Sequence, residues 1–190
     1  MTGSKLTSQN AAPMVWIDLE MSGLDPDEHH ILEAAVVITD ADLEVIAKGP
    51  NLIIHQPPPV LDAMDEWCTQ HHGDSGLTAA VQASELSLSA AEDQLLAFVT
   101  THCPAGAAPL CGNSVGQDRR FLVRYMPKLE GHLHYRIVDV SSIKELARRW
   151  YPNLSPPPKK ETHRALDDIL ESIEELRFYR SSIFRNQPAS

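Results

Sequence analysis

The sequence predicts an α/β fold: a single domain on a mixed β-sheet of about five strands, flanked by helices. Three observations carry this expectation. Short apolar, β-prone runs crowd the first third of the chain, helical spacing takes over in the middle, and two further short strands alternate with helices towards the end. The length of 190 residues, with 43% hydrophobic content, suits one domain with one core. No internal repeat or long interdomain linker interrupts that plan.

The first strand is expected over Met14 to Met21 (MVWIDLEM), an apolar run broken only by Asp18 and Glu20, and SGLDP then supplies turn chemistry. Ile31 to Thr39 (ILEAAVVIT) reads as a second strand. After the turn-like DAD, LEVIAKGPNLIIHQ alternates well enough for one long or two short strands, which gives an antiparallel meander beside the first. Beyond Pro57 to Pro59 the texture is helical in LDAMDEWCTQHH, SGLTAAVQASE and SAAEDQLLAFVTTHC, with Ser89 expected as an N-cap and Glu92 as its capping-box partner. PLCGNSVG predicts a short strand running into a loop. QDRRFLVRYMPKL predicts a helix with Phe121, Leu122, Tyr125 and Met126 on one face, RIVDV a fifth strand, and SSIKELARRW a helix that stops before Tyr151 and Pro152. PNLSPPPKKE is an extended Pro- and Lys-rich loop. A long amphipathic helix from roughly Arg164 to Ser181, with Leu166, Ile169, Leu170, Ile173 and Leu176 at helical spacing, closes the fold. The expected organisation is a disordered arm over 1–13, a domain over 14–185 and a short tail over 186–190.

Charge narrows the classes of partner. With 16 Lys+Arg against 26 Asp+Glu, the formal net charge of -10 repels long polyanions, so a nucleic-acid partner must be short or held by local cations. Cys68, Cys103 and Cys111 are odd in number and lack zinc-type spacing, which suits free thiols in a reducing compartment. The first twelve residues have neither a signal peptide's apolar core nor the Arg content of a transit peptide. No apolar run approaches the roughly 18 residues of a membrane helix, so no membrane partner is expected.

Asp18 and Glu20 raise the functional question. Residues i and i+2 of a strand share a face, so these two acids lie side by side, and near a low-dielectric wall one of them protonates unless a cation intervenes. They can face water, or they can bind metal. The oxygen-only donor set suits Mg²⁺ or Mn²⁺ over zinc, but two ions need more than two carboxylates. Candidates come later: Asp118 in the first turn of a helix beyond a strand end (GNSVGQDRRF), and His163 with Asp168 around the start of the final helix (HRALDDI). Each has a plainer reading alone, since an acid in a first turn complements the helix dipole and a His entering a helix is usually a surface residue.

Taken together, WIDLEMSGLD, GNSVGQDRRF, HYRIVDVSSIKELARRW and HRALDDILESIEELRFYR resemble the DEDD exonuclease superfamily in its histidine-containing branch, and within it the oligoribonucleases. GPNLIIHQ and EWCTQHHGDSGL look especially like the eukaryotic members. The resemblance runs from about Val15 to Phe184. It implies an RNase H-like fold, a homodimer, and 3′-to-5′ hydrolysis of very short RNA fragments, chiefly dinucleotides, to 5′-mononucleotides. It also implies a cytoplasmic protein, leaving room for a mitochondrial pool, and it does not imply binding of long duplex nucleic acid.

The chemistry is consistent with that family. A phosphodiester is an anion that repels hydroxide, so the site must neutralise charge, make a nucleophile near neutral pH and stabilise a leaving oxygen. Two ions about 3.5 to 4 Å apart do all three. By the family pattern Asp18 serves both Mg²⁺ or Mn²⁺ ions, Glu20 and Asp168 complete the nucleophile-side site, and Asp118 helps hold the second ion partly through water. His163, with a reference pKa of about 6.5, is the natural general base and must be neutral to act. The neighbouring Asp167 is turned about 100° around the helix from Asp168, so only one of them can face the metal, and Asp168 is the choice.

The same resemblance places the substrate. Leu24 is the apolar wedge and Trp67 the aromatic that pinch the bases, although a buried core Trp on an amphipathic helix would account for Trp67 equally well. Ser114, Arg136, Ser141 and Ser142 form a cap on a terminal phosphate, with His134, Tyr135 and Arg136 reaching in from the other subunit and Tyr135 counted among the catalytic residues. An exposed loop with a snorkelling Tyr is the plainer reading of HLHYR. Two rivals remain at this level: an exonuclease of the same chemistry acting on longer single-stranded DNA or RNA, and a catalytically silent nucleotide-binding relative.

Overall fold

The computed structural model describes residues 13–156 and 164–184. Three strands come first: β1 (Met14–Met21), β2 (Ile31–Thr39) and β3 (Val45–Ile53). Four helices follow, α1 (Pro58–Asp62), α2 (Glu66–Asp74), α3 (Leu77–Ala83) and α4 (Leu88–His102). The chain then runs through β4 (Pro109–Gly112), α5 (Gly116–Tyr125), α6 (Pro127–His132), β5 (His134–Asp139), α7 (Val140–Trp150) and α8 (Ala165–Ser182). The sheet has the order β3-β2-β1-β4-β5. β1 pairs antiparallel with β2 and β2 with β3, whereas β1 with β4 and β4 with β5 are parallel. The mixed five-strand sheet flanked by helices is therefore the architecture the apolar pattern predicts.

The period of two along β1 decides what sits on each face. Val15, Ile17 and Leu19 enter a core with Leu95 and Val99 of α4 and Phe121 and Leu122 of α5. Trp16 points the other way, into a second core with Ala35 and Val37 of β2 and Ile169, Ile173 and Tyr179 of α8. Each such side chain contributes about 1.5 to 3 kcal/mol by leaving water. Asp18 and Glu20 continue the Trp16 face, so they emerge at the end of this second core, against the start of α8. Every residue of β2 is buried, as befits a strand covered on both faces.

One open alternative is decided and three local expectations shift. LEVIAKGPNLIIHQ makes one strand; Pro50 is tolerated because β3 lies at the sheet edge, and its pairing with β2 carries two register irregularities. QDRRFLVRYMPKL breaks in two at Met126, because Pro127 lacks an N–H and disfavours helical backbone at the residue before it. β5 begins at His134, two residues before the expected RIVDV. The N-cap of α4 is Ser87, whose hydroxyl accepts from Ala90 N at 3.2 Å, so Ser89 lies inside the helix. Glu92 does not close a capping box. Its Oε1 instead accepts from Lys128 N at 2.7 Å and Leu129 N at 3.3 Å, satisfying the orphan first-turn amides of α6 from a distant helix. The expected arm over 1–13 and tail over 186–190 lie outside the described residues, apart from Pro13.

Candidate active site

Carboxylate oxygens of Asp18, Glu20 and Asp168 lie within 4.8 Å of one another. β1 supplies the first two, and the first turn of α8 supplies the third, with Asp168 N donating to Arg164 O at 3.0 Å. Asp167 is exposed, in keeping with its turn away from Asp168. Asp118, in the first turn of α5, is buried, and its Oδ1 accepts from Leu19 N at 3.0 Å, between the two acids of β1.

So many acids in one low-dielectric place oppose ionisation. Burial, then Asp118 and Glu20, push the Asp18 carboxyl well above the usual range. Burial, then Asp168 and Glu33, push Glu20 up to about 8. Burial pushes Asp118 up to about 7 against the opposing effect of the Leu19 N–H. Glu33, opposite Glu20 in the β1–β2 ladder and fully buried, adds to the repulsion. Arg164 answers part of it: its Nη2 lies 2.9 Å and its Nε 3.2 Å from Glu33 Oε1, and its charge acts to lower Glu20. Arg164 is the guanidinium that the described residues bring to these carboxylates. An oxygen-only cluster of this kind fits a divalent cation of the hard kind.

Beyond Glu20 the site opens into a cavity of about 430 Å³, lined among others by Gly23, Leu24, Trp67, Cys68 and His72. Leu24 and Trp67 are 69% and 55% exposed, which excludes the core reading of the tryptophan. His71, one turn on, stacks under the indole at 3.9 Å between ring centroids. A Cβ at Gly23 would meet the His29 ring at 2.4 Å, so a side chain there would have to displace that ring. The Leu24 loop is tied to α5: its carbonyl accepts from Gln117 Nε2 and from Arg120 Nη1.

The expected cap serines also converge. Ser114 follows β4 with a left-handed φ of 52°, and its N–H donates to Asp139 Oδ1 and Ser141 Oγ, both at 2.9 Å. Ser141 N donates to the same Asp139 oxygen at 3.0 Å, and Ser142 Oγ to the other at 2.8 Å. Asp139, the N-cap of α7, organises the group and adds to the repulsion that raises Asp118.

His134, Tyr135 and Arg136 do not join their own chain's site. They begin β5, whose other end reaches Asp139, and the parallel register from β5 through β4 to β1 sets His134 at the Pro109 end of the sheet, away from Asp18 and Glu20. His134 stacks on Tyr135 at 4.5 Å, the Arg136 guanidinium lies 5.4 Å from the Tyr135 ring centroid, and Tyr135 is 72% exposed. His163 lies outside the described residues.

Sequence reasoning missed Asp139, Glu33, Arg164, Gln117 and the cavity positions of Cys68 and His72. Asp139 had a signal, an Asp directly before a helix. Glu33 had a weaker one, a single acid inside an otherwise apolar strand.

Residues 15–176 match the exonuclease family model. The zinc-bound complex of Escherichia coli exonuclease I with single-stranded DNA has a TM-score of 0.71 to this chain at 14% identity, covering 93% of this chain and 42% of the other. An exonuclease I from Methylocaldum szegediense gives a TM-score of 0.65 at 17% identity, covering 91% and 41%. This chain thus spans about two-fifths of those structures, and the likeness establishes an RNase H-like fold. Fold and acidic site together define a nuclease of the exonuclease class that uses divalent metal. Human mitochondrial oligoribonuclease is 55% identical over 179 residues, 93% of this chain and 76% of the human protein. The oligoribonuclease of Marinobacter nauticus is 55% identical over 93% of this chain and 98% of its own, and the probable oligoribonuclease of Dictyostelium discoideum 56% identical over 94% of each. The chain belongs to the oligoribonuclease family of exonucleases.

Proposed function

We propose that the protein is a 3′-to-5′ exoribonuclease that hydrolyses very short RNA, chiefly dinucleotides, to 5′-mononucleotides. One observation carries this reading beyond the family name: the acidic cluster opens directly into a small cavity walled by Leu24 and Trp67. Asp18, Glu20, Asp118 and Asp168 are the residues that would hold two Mg²⁺ or Mn²⁺ ions per site. When bound, such ions neutralise the phosphodiester, activate water and stabilise the leaving 3′-oxygen. The chain's own residues orient the substrate. Leu24 and Trp67 take the two bases, and stacking of this kind tolerates any base because each has a π face. The Ser114 group takes the terminal phosphate and closes the site to longer chains. His163, neutral at working pH, accepts the proton of the attacking water.

The position of His134, Tyr135 and Arg136 supports a homodimer. They sit at the far end of their own sheet with Tyr135 exposed between His134 and Arg136, which is where residues that complete a partner's site would be expected. Among the described residues no helix is long and apolar enough to cross a membrane. Relatives named as mitochondrial in human and cattle support a mitochondrial pool beside a cytoplasmic one.

A length series of RNA and DNA from two to ten nucleotides with Mg²⁺ tests this reading. Hydrolysis fastest on diribonucleotides and lost with a chelator is the expected result. Equal or better turnover of longer single-stranded DNA would establish the rival exonuclease reading, and no metal-dependent mononucleotide release would establish a silent relative.

A further inference from the structure

The hydrogen bonds behind the phosphate cap run in one direction. Glu175, buried in α8, takes Lys144 Nζ at 2.9 Å on Oε1 and Asn113 Nδ2 at 3.2 Å on Oε2. A carboxylate accepts only, so the amide nitrogen of Asn113 must face it, and that nitrogen also lies 2.7 Å from Ser172 Oγ. The amide oxygen of Asn113 is thereby turned outward, where it accepts the hydroxyl proton of Ser141 at 3.1 Å. Ser141 has one proton to give. With it committed, Ser141 Oγ can only accept, and it does so from Ser114 N at 2.9 Å and faces Ser114 Oγ at 3.1 Å. The proton of Ser142 is likewise committed, to Asp139 Oδ2.

The three cap serines are therefore not equivalent. Ser114 alone has a hydroxyl proton engaged only by another hydroxyl, which a phosphate oxygen displaces readily, since hydrogen bonds to charged acceptors are the stronger kind. Its left-handed backbone is a second sign of a position held for use, because a non-glycine residue keeps that conformation only where its surroundings impose it. Here the N–H bonds to Asp139 and Ser141 impose it.

We propose that Asn113 and Lys144, gathered on the buried Glu175, form with it a positioning relay that commits the Ser141 proton inward and leaves Ser114 as the serine that donates to the substrate's terminal phosphate. The inference rests on the cap reading of the previous section. The carboxylate of Glu175 sets the polarity of the whole chain, and the contact with Lys144 Nζ holds that carboxylate in place. Loss of the relay leaves the metal acids untouched, so it weakens recognition of the phosphate and not hydrolysis as such.

The test compares the 5′-phosphorylated dinucleotide pApA with ApA, which lacks that phosphate, by kcat/KM at saturating Mg²⁺. Ser114→Ala should reduce the preference for pApA by roughly tenfold, the loss of one charge-assisted hydrogen bond. Glu175→Gln with Lys144→Met removes both members of the ion pair and scrambles the relay; it should cut the preference at least about threefold through KM for pApA, with ApA turnover unchanged. Asn113→Ala, a smaller packing change, should do the same, and thermal melts confirm folding in each. If Ser114→Ala reduces the preference while the folded relay variants keep it at the wild-type value, the relay is overturned and the cap stands. Unchanged preference in Ser114→Ala overturns the cap reading and the relay with it.

Discussion

Asp118 Oδ1 accepts the backbone N–H of Leu19, the residue between Asp18 and Glu20, at 3.0 Å. A single bond thus fixes the first turn of α5 against the acidic end of β1. Asp118→Asn keeps an oxygen that accepts this N–H but removes the charge, so the variant is expected to fold. Its turnover of pApA with Mg²⁺ should fall by roughly a hundredfold or more, and Asp168→Asn should behave alike, because each removes a carboxylate from the proposed metal set. Wild-type rate in either folded variant would remove that residue from the site.

The raised carboxyls make metal-free stability depend on pH in a definite direction. Glu20 titrates near 8 when folded, against an ordinary value of 4.5. Between those values the folded chain holds a proton that the unfolded chain has released, so stability is greatest below the ordinary value and falls as pH rises through the window to about 8. Asp118, raised to about 7, adds in the same direction. Urea unfolding in the presence of EDTA should show a loss on the order of a few kcal/mol between pH 5 and 8. Mg²⁺ should flatten that dependence, because a cation replaces the protons. A metal-free protein equally stable across this range would show that the cluster ionises without strain.

Glu33 and Arg164 carry a different stability prediction. Glu33 is fully buried beside the acidic cluster, so Arg164→Met leaves its charge uncompensated and should cost about 3 kcal/mol or more in urea unfolding. Adding Glu33→Gln should recover much of the loss, since a neutral group needs no counterion. If the double variant is as unstable as the single, the pair acts through packing and not through charge.

What could be read in the sequence follows the range of the interactions. The facing of Asp18 and Glu20 needed only the period of a strand; the pitch of a helix showed that only one of Asp167 and Asp168 can face it, and the family resemblance chose Asp168. The break at Met126 was written in Pro127 but lost in the apolar spacing around it. Glu92 resembled a local cap and serves a helix 36 residues away, because its orphan amide partners become visible only in three dimensions. The Ser141–Asn113–Glu175 chain joins α7, the loop after β4 and α8, and no spacing rule connects such positions.

The cavity walls give a binding prediction. Trp67 is exposed beside Leu24 and supported by His71, so Trp67→Ala removes a stacking surface at little cost to the core. Loss of one base stack, about 1 to 3 kcal/mol, should raise KM for pApA by roughly fivefold or more, with a smaller effect on kcat. An unchanged KM would place the bases elsewhere.

Sharing of sites between subunits can be tested by mixing two defective chains. Asp118→Asn lacks a metal acid, and Tyr135→Ala lacks the ring that His134 and Arg136 flank. Each homodimer is expected to be poorly active. In a mixed dimer, one site combines both defects, while the other takes its acids from the Tyr135→Ala chain and its tyrosine from the Asp118→Asn chain, and so is whole. Subunit exchange between the two should therefore raise dinucleotide hydrolysis well above the sum of the separate activities, while sedimentation shows a dimer throughout. The expectation rests on the parallel register of β1, β4 and β5, which sets Tyr135 and the acids towards opposite ends of one sheet. Activity that only sums on mixing, or a fully active monomer, would mean that each chain completes its own site.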